Sequence, residues 1–338
     1  MIWKINTLEG RDKNLKEVIV IGAGPCGIAA AVALKKRGLT PLILDKGCIV
    51  NSIYHYPMSM RFFSTADNLE IGDIPFVSSH AKPTRDEALN YYRMVTKHYD
   101  LNIHTFEKVE RMTPNEDGFE IVSQHQTGKK RYQASNVVWA TGFYDQPNLL
   151  RIPGESFPHV HHYFQHAHPY SHQKVVVIGG RNSAVDAALE LEFVGADVTL
   201  IYRGEHIHDS VKPWVRPLIE SLIEKEKVKV LWKSEVKKIE PNYIWIEKEG
   251  CIQRLEADTV FAMTGYVPNL SLFTQLGGEI DLETGCPILS EEMETSIPGL
   301  YMAGVVVTGH DSTKVFIENG RYHGEIIATA IKAKKRTV

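Results

Sequence analysis

The stretch that decides the fold is Glu17-Val-Ile-Val-Ile-Gly22-Ala-Gly24-Pro-Cys-Gly27, an apolar β-rich run that ends in a GxGxxG turn. The small-residue segment Cys26–Lys36 follows and predicts a helix, and Pro41-Leu-Ile-Leu-Asp45 predicts a second strand. A glycine turn between a strand and a helix is the setting in which this motif binds the pyrophosphate of a dinucleotide. We therefore predict a βαβ nucleotide-binding unit here.

The same succession returns later in the chain. Lys174-Val-Val-Val-Ile-Gly179 predicts a strand and turn, Ala184–Leu191 a helix, and Asp197–Tyr202 the next strand. Both units close with a buried strand that runs into a small-residue turn, at Asn136–Gly142 and Thr259–Gly265. This pattern predicts an α/β fold with two Rossmann-like nucleotide-binding domains, the second inserted in the first. We expect residues 1–145 and 280–338 to form one nucleotide-binding domain and residues 146–279 the other.

The first glycine loop has the residues that a dinucleotide pyrophosphate requires. We expect Gly22 to allow the tight turn, Gly24 to let the pyrophosphate approach the backbone, and Gly27 to let helix and strand pack closely. The helix N-terminus adds free amides and a positive dipole end. Asp45 ends the second strand, where a carboxylate binds an adenosine ribose and repels a 2′-phosphate. The loop therefore favours FAD or NAD over NADP.

The second loop, Gly179-Gly180-Arg181-Asn182-Ser183-Ala184, departs from the pattern. Arg181 takes the place of the second glycine, which predicts a less intimate pyrophosphate contact, and Ala184 replaces the third glycine. The following strand ends in Tyr202-Arg203 without an acidic residue. A guanidinium binds a 2′-phosphate through charge-assisted hydrogen bonds, so Arg203 favours NADPH over NADH. An ordinary surface charge at Arg203 is the alternative.

Composition and charge limit the partners of the chain. The 338 residues include 38 Lys plus Arg and 41 Asp plus Glu, and the formal net charge of -3 gives no general attraction to nucleic acid or an anionic membrane. Residues 1–17 lack the apolar core of a signal peptide, and no apolar run is long enough to span a bilayer. The four cysteines form no CxxC or zinc-type spacing, so we expect a cytoplasmic chain with reduced thiols.

The stretch His159–His172 is rich in histidine but has no pattern that fixes a metal site. Metal ligation needs convergent geometry and often a carboxylate partner. We interpret the stretch as a solvated linker and expect no metal.

The architecture resembles that of the low-molecular-weight thioredoxin reductase superfamily over nearly the whole chain. The landmarks are the second glycine loop, Ala140-Thr-Gly142, Met263–Asn269 and Thr295–Gly304. The redox CxxC that thioredoxin reductases carry before the second glycine strand is missing, because His159–Tyr170 holds no cysteine. Gly304-Val305 stands where the superfamily has the Gly-Asp that meets the FAD ribityl chain.

More specifically, the chain is similar to the bacillithiol disulfide reductases, the YpdA family of low-GC bacteria. The matching stretches are Gly24–Gly27, Asn51–Tyr54, Phe62–Thr65, Leu69–Pro75, Gly179–Ala184 and Phe316–Arg321 with His323-Gly324. The resemblance implies an NADPH- and FAD-dependent reductase of bacillithiol disulfide whose redox residue is Cys26, the cysteine of the first glycine loop. It implies hydride transfer from NADPH to FAD and a mixed disulfide between Cys26 and the substrate.

We expect the cofactor contacts to come from the glycine loops, the strand ends and the segment before the last helix. The expected cofactor-binding residues are Gly22, Gly24, Pro25, Cys26, Gly27, Asp45, Lys46, Asn51, Val109, Ala140, Thr141, Gly142, Gly304, Val305, Lys314, Gly179, Gly180, Arg181, Asn182, Ser183, Arg203, Thr264 and Gly265. Bacillithiol carries carboxylates, for which Lys314, His310 and Arg61 are candidate partners. We expect a small-molecule disulfide as substrate and a homo-oligomer as the assembly.

The physical interpretation of Cys26 has two sides. A thiol at a helix N-terminus has a lowered pKa, which favours the nucleophilic thiolate, whereas a nearby pyrophosphate opposes this. A small cysteine that packs where alanine often sits is the alternative. Cys48, Cys251 and Cys286 have no motif behind them and are interpreted as structural.

Three other functions stay open at this point. One is a flavin monooxygenase-like enzyme, since Phe157–Tyr170 loosely resembles that family's linker, although the Phe-x-Gly spacing is absent. Another is a ferredoxin or flavodoxin–NADP reductase of similar architecture, which has no CxxC and needs no catalytic cysteine. The third is a nucleotide-sensing binding protein whose flavin NADPH cannot reduce.

Overall fold

The computed structural model describes residues 15–311 and 313–337. The chain divides into two compact units. The first takes in the described residues up to His55, then Met60–Gln146 and those from Val267 onward, and the second takes in Tyr56–Ser59 and Pro147–Tyr266. The N-terminal residues 1–14, where we expected no signal peptide, lie outside the described residues.

The described residues form strands and helices in alternating groups. The strands are β1 Leu15–Ile21, β2 Pro41–Leu44, β3 Asn102–His104, β4 Lys108–Asn115, β5 Gly118–His125, β6 Gly128–Trp139, β7 Val160–His161, β8 Lys174–Ile178, β9 Asp197–Ile201, β10 Val228–Leu231, β11 Ser234–Glu240, β12 Tyr243–Lys248, β13 Cys251–Glu256, β14 Thr259–Ala262 and β15 Leu300–Met302. The α-helices are α1 Pro25–Lys36, α2 Asn51–Tyr54, α3 Arg85–His98, α4 Asn182–Phe193, α5 Arg216–Glu224, α6 Ser271–Gln275, α7 Ile317–Gly320 and α8 His323–Thr337. Short 3-10 turns lie at Ala66–Leu69, His168–Tyr170 and Val305–Thr308.

The first unit is built on a seven-stranded sheet of order β3-β2-β1-β6-β5-β4, in which β15 also pairs with β6. Strand β6 has 12 residues and serves two parts of this sheet. Its first half pairs antiparallel with β5, and its second half lies parallel to β1 and β15. The carboxyl ends of the parallel strands therefore meet at one edge, the edge where doubly wound sheets bind ligands.

Helix α1 packs tightly between β1 and α8 because its residues are small. Gly24 is its N-cap and Pro25 its first residue, where the missing N–H of proline costs no hydrogen bond. All residues from Gly27 to Leu34 are buried. On α8, a Cβ at Gly324 would stand 2.5 Å from the Cα of Ala30, so the two helices approach backbone to backbone. This packing places the start of α1 at the carboxyl edge of the sheet.

The second unit has a parallel sheet of order β10-β9-β8-β14-β7 and a separate antiparallel sheet of order β11-β12-β13. Val175 and Val177 of β8 pack in the same cluster as the buried side of α4. Val176 and Ile178 face the other way and pack with Ile244 of β12. The alternation along one strand thus produces three layers: helices, parallel sheet and antiparallel sheet.

Both predicted βαβ openings are present, so the predicted α/β fold with two Rossmann-like units is confirmed. The helix predicted over 184–191 begins earlier, at Asn182, because Arg181 serves as its N-cap. None of the described helices combines the length and the apolar character that a bilayer crossing requires.

Candidate functional site

The three glycines of the loop between β1 and α1 each have a different geometric role. Gly22 adopts φ +110°, and a Cβ there would stand 2.4 Å from the carbonyl oxygen of Ala140. A Cβ on Gly27 would stand 2.0 Å from the carbonyl oxygen of Gly22, so the helix–strand contact requires glycine. The space around Gly24 is open, as a phosphate that approaches the backbone requires. The residues present therefore fit a dinucleotide pyrophosphate.

Asp45 lies at the end of β2 and ties the glycine loop to that strand. Its Oδ2 accepts a hydrogen bond from the N–H of Ala23 at 2.6 Å, and its Oδ1 accepts one from the N–H of Gly47 at 2.7 Å. Burial raises the pKa of this carboxyl group, although the two main-chain hydrogen bonds act in the opposite direction. Each oxygen keeps a further lone pair. Asp45 can therefore accept a ribose hydroxyl while it holds the loop.

Two other expected residues close to Asp45 already have protein partners. Lys46 forms an ion pair with Asp145 at 2.9 Å. Asn51 begins α2, and its Oδ1 accepts a hydrogen bond from the N–H of Cys48 at 3.3 Å. A nucleotide bound here would share or replace these contacts.

The end of β6 lies beside the glycine loop. The N–H of Ala140 donates to the last carbonyl of β1 at 2.8 Å. The Oγ1 of Thr141 accepts a hydrogen bond from Nε1 of Trp139 at 2.7 Å. Gly142 adopts φ +70°, and the nearest atom to a Cβ there would be Cγ1 of Val305 at 4.0 Å. Four segments expected to bind cofactor, at the ends of β1, β2, β6 and β15, therefore reach one edge of the first unit.

Val109 belongs to a different part of that unit. It lies on β4 opposite Ser123 and packs against the hydrophobic cluster of the sheet. The residue just before β4, Glu107, donates its N–H to the carbonyl oxygen of Asp45 at 2.7 Å. The strand that carries Val109 thus starts next to the end of β2.

Cys26 is the second residue of α1, and its sulfur lies between two glycines. A Cβ on Gly304 or on Gly320 would stand 2.9 Å from Sγ of Cys26. Burial raises the pKa of the thiol to about 12, whereas we expected the helix N-terminus to lower it. Desolvation exceeds the effect of the helix dipole, so Cys26 is a neutral thiol at neutral pH. Gly320 was not among the expected site residues, and a glycine inside a helix was the signal for it.

Gly304, which lies beside this sulfur, also forms a hydrogen bond with a histidine. Its N–H donates to Nδ1 of His323 at 3.2 Å, which leaves Nε2 to carry the proton of the neutral ring. Burial lowers the pKa of His323. Val305 follows and opens a 3-10 turn, while Lys314 is exposed and lies 3.8 Å from a carboxylate oxygen of Asp311.

The second glycine loop has the same framework with different contacts. Gly179 adopts φ +142°, and a Cβ there would stand 2.6 Å from the carbonyl oxygen of Met263 and 3.0 Å from Cβ of Ala184. A Cβ on Gly180 would stand 2.5 Å from the ring of Tyr202. Gly179 and Gly180 are therefore needed for packing within the protein.

The residues that follow Gly180 bind a neighbouring loop. Asn182 accepts a hydrogen bond from the N–H of Lys212 at 3.0 Å and donates one to the carbonyl oxygen of Ser210 at 2.9 Å. The guanidinium of Arg181 lies 3.4 Å from Nε2 of His208. This loop therefore closes beside the start of α4.

Arg203 is exposed at the end of β9. The depression beside it is also lined by Lys233, Glu235, Glu247 and Glu249. Lys212, which the sequence offered as a further basic residue, is buried and pairs with Asp186 at 2.8 Å. The local charge around Arg203 is thus mixed.

The remaining expected residues of the second unit lie at the ends of β14 and α4. Thr264 donates its hydroxyl to the carbonyl oxygen of Asn148 at 2.5 Å. The carbonyl oxygen of Gly265 accepts a hydrogen bond from the N–H of the same asparagine at 2.9 Å. Ser183 is the second residue of α4 and is half-buried.

The histidine-rich stretch is not the solvated linker that we expected, because Val160 and His161 form a strand paired with β14 and Phe164 is buried. Nε2 of His162 lies 3.8 Å from Glu155, and the ring of His161 packs on Phe261 with centroids 5.3 Å apart. Across residues 15–311 and 313–337, no three His, Cys, Asp or Glu side chains are grouped as a metal ion requires.

Known proteins resemble this chain in sequence and in architecture. The sequence profile of the pyridine nucleotide-disulphide oxidoreductases matches residues 19–304. Bacilliredoxin reductase Bdr of Bacillus subtilis (strain 168) is 43% identical over 324 residues, which cover 95% of this chain and 98% of the relative. The solved structure of bacillithiol disulfide reductase Bdr (YpdA) from Bacillus cereus is 43% identical, with a TM-score of 0.93 over 95% of this chain and 99% of that one. Thioredoxin reductase of T. acidophilum is 20% identical over 96% of this chain and all of its own, and its TM-score of 0.74 shows a common fold alone.

Cys26 should react slowly with a small alkylating agent. With iodoacetamide at pH 7 to 9, we expect Cys26 to be modified more slowly than the exposed Cys251. A pKa of about 12 leaves on the order of one thiolate in 10⁵ molecules at pH 7, rising about tenfold per pH unit. Mass spectrometry of the two cysteine-containing peptides measures both rates. Equal rates at pH 7 would contradict the raised pKa of Cys26.

Enlarging Gly320 should displace the sulfur of Cys26. In Gly320→Ala the new Cβ stands 2.9 Å from Sγ and 3.1 Å from Cγ1 of Val315, and such overpacking costs about 1–3 kcal/mol of unfolding free energy. Because Cys26→Ala removes the sulfur, the double variant should recover most of this loss. Thermal unfolding of the wild type, both single variants and the double variant measures the coupling. Strictly additive changes would show that the two residues are not in contact.

Proposed function

The chain belongs to the pyridine nucleotide-disulphide oxidoreductase family and, within it, to the bacillithiol disulfide reductases, and we propose that it reduces bacillithiol disulfide with NADPH through FAD. Membership makes the chain an enzyme that uses a flavin and a nicotinamide nucleotide. The resemblance found in the sequence is thereby confirmed at the level of the family.

We assign FAD to the first unit. The cradle of Gly22, Gly24 and Gly27 supports a dinucleotide at the start of α1, where helix amides and the dipole favour phosphate. Asp45 supports an unphosphorylated adenosine ribose, because its carboxylate would repel a 2′-phosphate. When bound, the flavin accepts a hydride and passes on two electrons. The residues around Cys26 then have to hold the disulfide substrate.

We assign NADPH to the second unit, with Arg203 as the partner of the 2′-phosphate. Two of the glutamates beside Arg203 are engaged elsewhere, since Glu235 and Glu247 both pair with Lys237, at 2.8 and 3.1 Å. The exposed guanidinium of Arg203 therefore keeps donors for a phosphate. Lys233, in the same depression, pairs with Glu205 at 2.7 Å.

Cys26 is the proposed nucleophile. Its sulfur attacks one sulfur of the substrate, forms a mixed disulfide and releases one bacillithiol, which takes up the proton that Cys26 loses. Cleavage of the mixed disulfide then takes up two electrons, which a bound flavin would supply, and two protons, and it yields the second bacillithiol and the Cys26 thiol. The raised pKa of the thiol means that deprotonation is part of the cost of the first step. Because the four cysteines are all free, a reducing compartment such as the cytoplasm suits the reaction.

The observation that carries the proposal is the position of the Cys26 sulfur. It lies at the start of the helix that supports the dinucleotide and is enclosed by Gly304 and Gly320, in a place where alanine at any of the three positions would change the packing.

The assay that tests the proposal follows NADPH oxidation without oxygen. With FAD-loaded wild type we expect bacillithiol disulfide to stimulate NADPH consumption, and with Cys26→Ala we expect that stimulation to disappear while NADPH still reduces the flavin. Cys251→Ala is the matched control and should behave as wild type, since Cys251 is exposed on β13. Because the Bacillus subtilis relative is named a bacilliredoxin reductase, a second arm adds an oxidised bacilliredoxin.

Each outcome of this assay has one interpretation. Stimulation by the disulfide that depends on Cys26 supports the proposed reaction. Stimulation by oxidised bacilliredoxin alone would show that the substrate is a protein disulfide and not bacillithiol disulfide. Stimulation by neither, with the flavin still reduced, would leave ferredoxin or oxygen as the acceptor and overturn the substrate.

Arg203 should determine the preference for NADPH over NADH. Arg203→Ala removes a charged hydrogen bond to the 2′-phosphate, so we expect KM for NADPH to rise roughly 10- to 100-fold with little change for NADH. Arg254→Ala, an exposed arginine that lies over the ring of Tyr243, is the control and should change neither constant. Equal changes in KM for NADPH and NADH in Arg203→Ala would show that Arg203 does not determine the preference.

A further inference from the structure

Glu107 is a buried carboxylate that none of the steps above uses. Its side chain has no exposed surface. It accepts hydrogen bonds from Oγ of Ser123 at 2.6 Å, the hydroxyl of Tyr132 at 2.6 Å and Nζ of Lys130 at 2.8 Å. Burial acts to raise its pKa, but the hydrogen bonds from Lys130, Ser123 and Tyr132 lower it to about 2. The group is therefore an ionised carboxylate with satisfied oxygens.

These partners join two parts of the first unit. Ser123 lies on β5, and Lys130 and Tyr132 lie on β6, whereas Glu107 closes the turn between β3 and β4. Nδ1 of His104, at the other end of that turn, lies 3.3 Å from Glu107. Apolar residues of similar volume often stabilise a fold as well as a buried ion pair does. Stability alone therefore does not account for this buried charge.

The turn that Glu107 closes holds the main chain at the end of β2. The N–H of Asp45 donates to the carbonyl oxygen of His104 at 3.0 Å, and the N–H of Glu107 donates to that of Asp45 at 2.7 Å. The N–H of Phe106 donates to the carbonyl oxygen of Gly47 at 2.9 Å. Three main-chain hydrogen bonds thus fix both neighbours of Lys46.

Phe106 adopts a strained backbone to make its contact. Its φ is +55°, a left-handed conformation that is uncommon for an aromatic residue, and its side chain is largely exposed. Strain of this kind persists where the surrounding structure holds it, often at ligand sites. Glu107 is the next residue, and its buried hydrogen bonds keep this part of the turn in place.

We infer that Glu107 is a positioning residue for the adenosine end of the cofactor in the first unit. Its carboxylate holds the turn 104–107, the turn holds the main chain of Asp45 and Gly47, and the Asp45 carboxylate holds Ala23 in the first glycine loop. The inference rests on the proposed assignment of FAD to this unit. Breaking the carboxylate network should weaken binding of the adenosine end of FAD to the first unit. Nucleotide binding by the second unit should stay unchanged.

The test measures ligand affinity of the apoprotein. Glu107→Gln places an amide N–H₂ among donors, and we expect FAD and ADP to bind roughly tenfold or more weakly, by the same factor. FAD binding is followed by flavin fluorescence and ADP binding by its competition with FAD. Binding of NADP⁺ should stay unchanged. Glu120→Gln is the matched control, since this glutamate lies on β5 and pairs with the exposed Arg131 at 3.0 Å, and it should change FAD affinity less than twofold.

A second variant keeps the test decisive if Glu107→Gln does not fold. Tyr132→Phe removes one donor and leaves Ser123 and Lys130 on the carboxylate, so FAD and ADP affinities should fall together by a smaller factor. Variants that melt at lower temperature but bind FAD and ADP as wild type does while folded would make the network structural only and overturn the inference. Failure of the wild type to bind FAD would overturn the cofactor assignment and the inference together, whereas loss of disulfide reduction alone would leave the inference intact.

Discussion

In the first unit, α1 begins so close to β1 that a single Cβ at Gly27 would lie 2.0 Å from the carbonyl oxygen of Gly22. The same closeness recurs one strand away, where Gly22 meets the carbonyl oxygen of Ala140. Because no side chain separates these backbones, the first amides of the helix lie at the carboxyl edge of the sheet with open space at Gly24. The shape of the first glycine loop, its hydrogen bond to Asp45 and the place of Cys26 all depend on this contact.

The thiol at the start of α1 shows how two electrostatic effects compete at one residue. The helix dipole stabilises a thiolate by an amount that falls off within the first turn, whereas removal from water destabilises the charged form of the whole group. At Cys26 removal from water is the larger effect, since the sulfur is enclosed by Gly304, Gly320 and its own helix. An enzyme that uses this sulfur therefore has to remove its proton before the sulfur can attack a disulfide.

The two glycine loops share one framework, and the proposed assignment gives them two different nucleotides. In the first, the space at Gly24 is open, and Asp45 after β2 is the acid proposed to repel a 2′-phosphate. In the second, Arg181 takes the position of the open glycine, and Tyr202 takes the position of Asp45 and packs its ring on Gly180. Arg203 is the next residue. The strand–turn–helix geometry is common to both, and the side chains at three positions make the difference.

The sequence by itself determined the two strand–turn–helix openings, the fold class and the family, because these depend on local patterns: buried β-branched runs, glycines at fixed spacing and small helical residues. It also placed Cys26 in the first glycine loop and Asp45 at the end of the next strand. Only the tertiary structure decided what surrounds them. Four contacts join residues that lie from 16 to 294 positions apart. They are the hydrogen bond from Ala23 to Asp45, the enclosure of Cys26 by Gly304 and Gly320, the pairing of Lys212 with Asp186 and the network of Glu107. Burial and charge pairing at such distances depend on how the sheets and helices pack, and no local pattern encodes that packing.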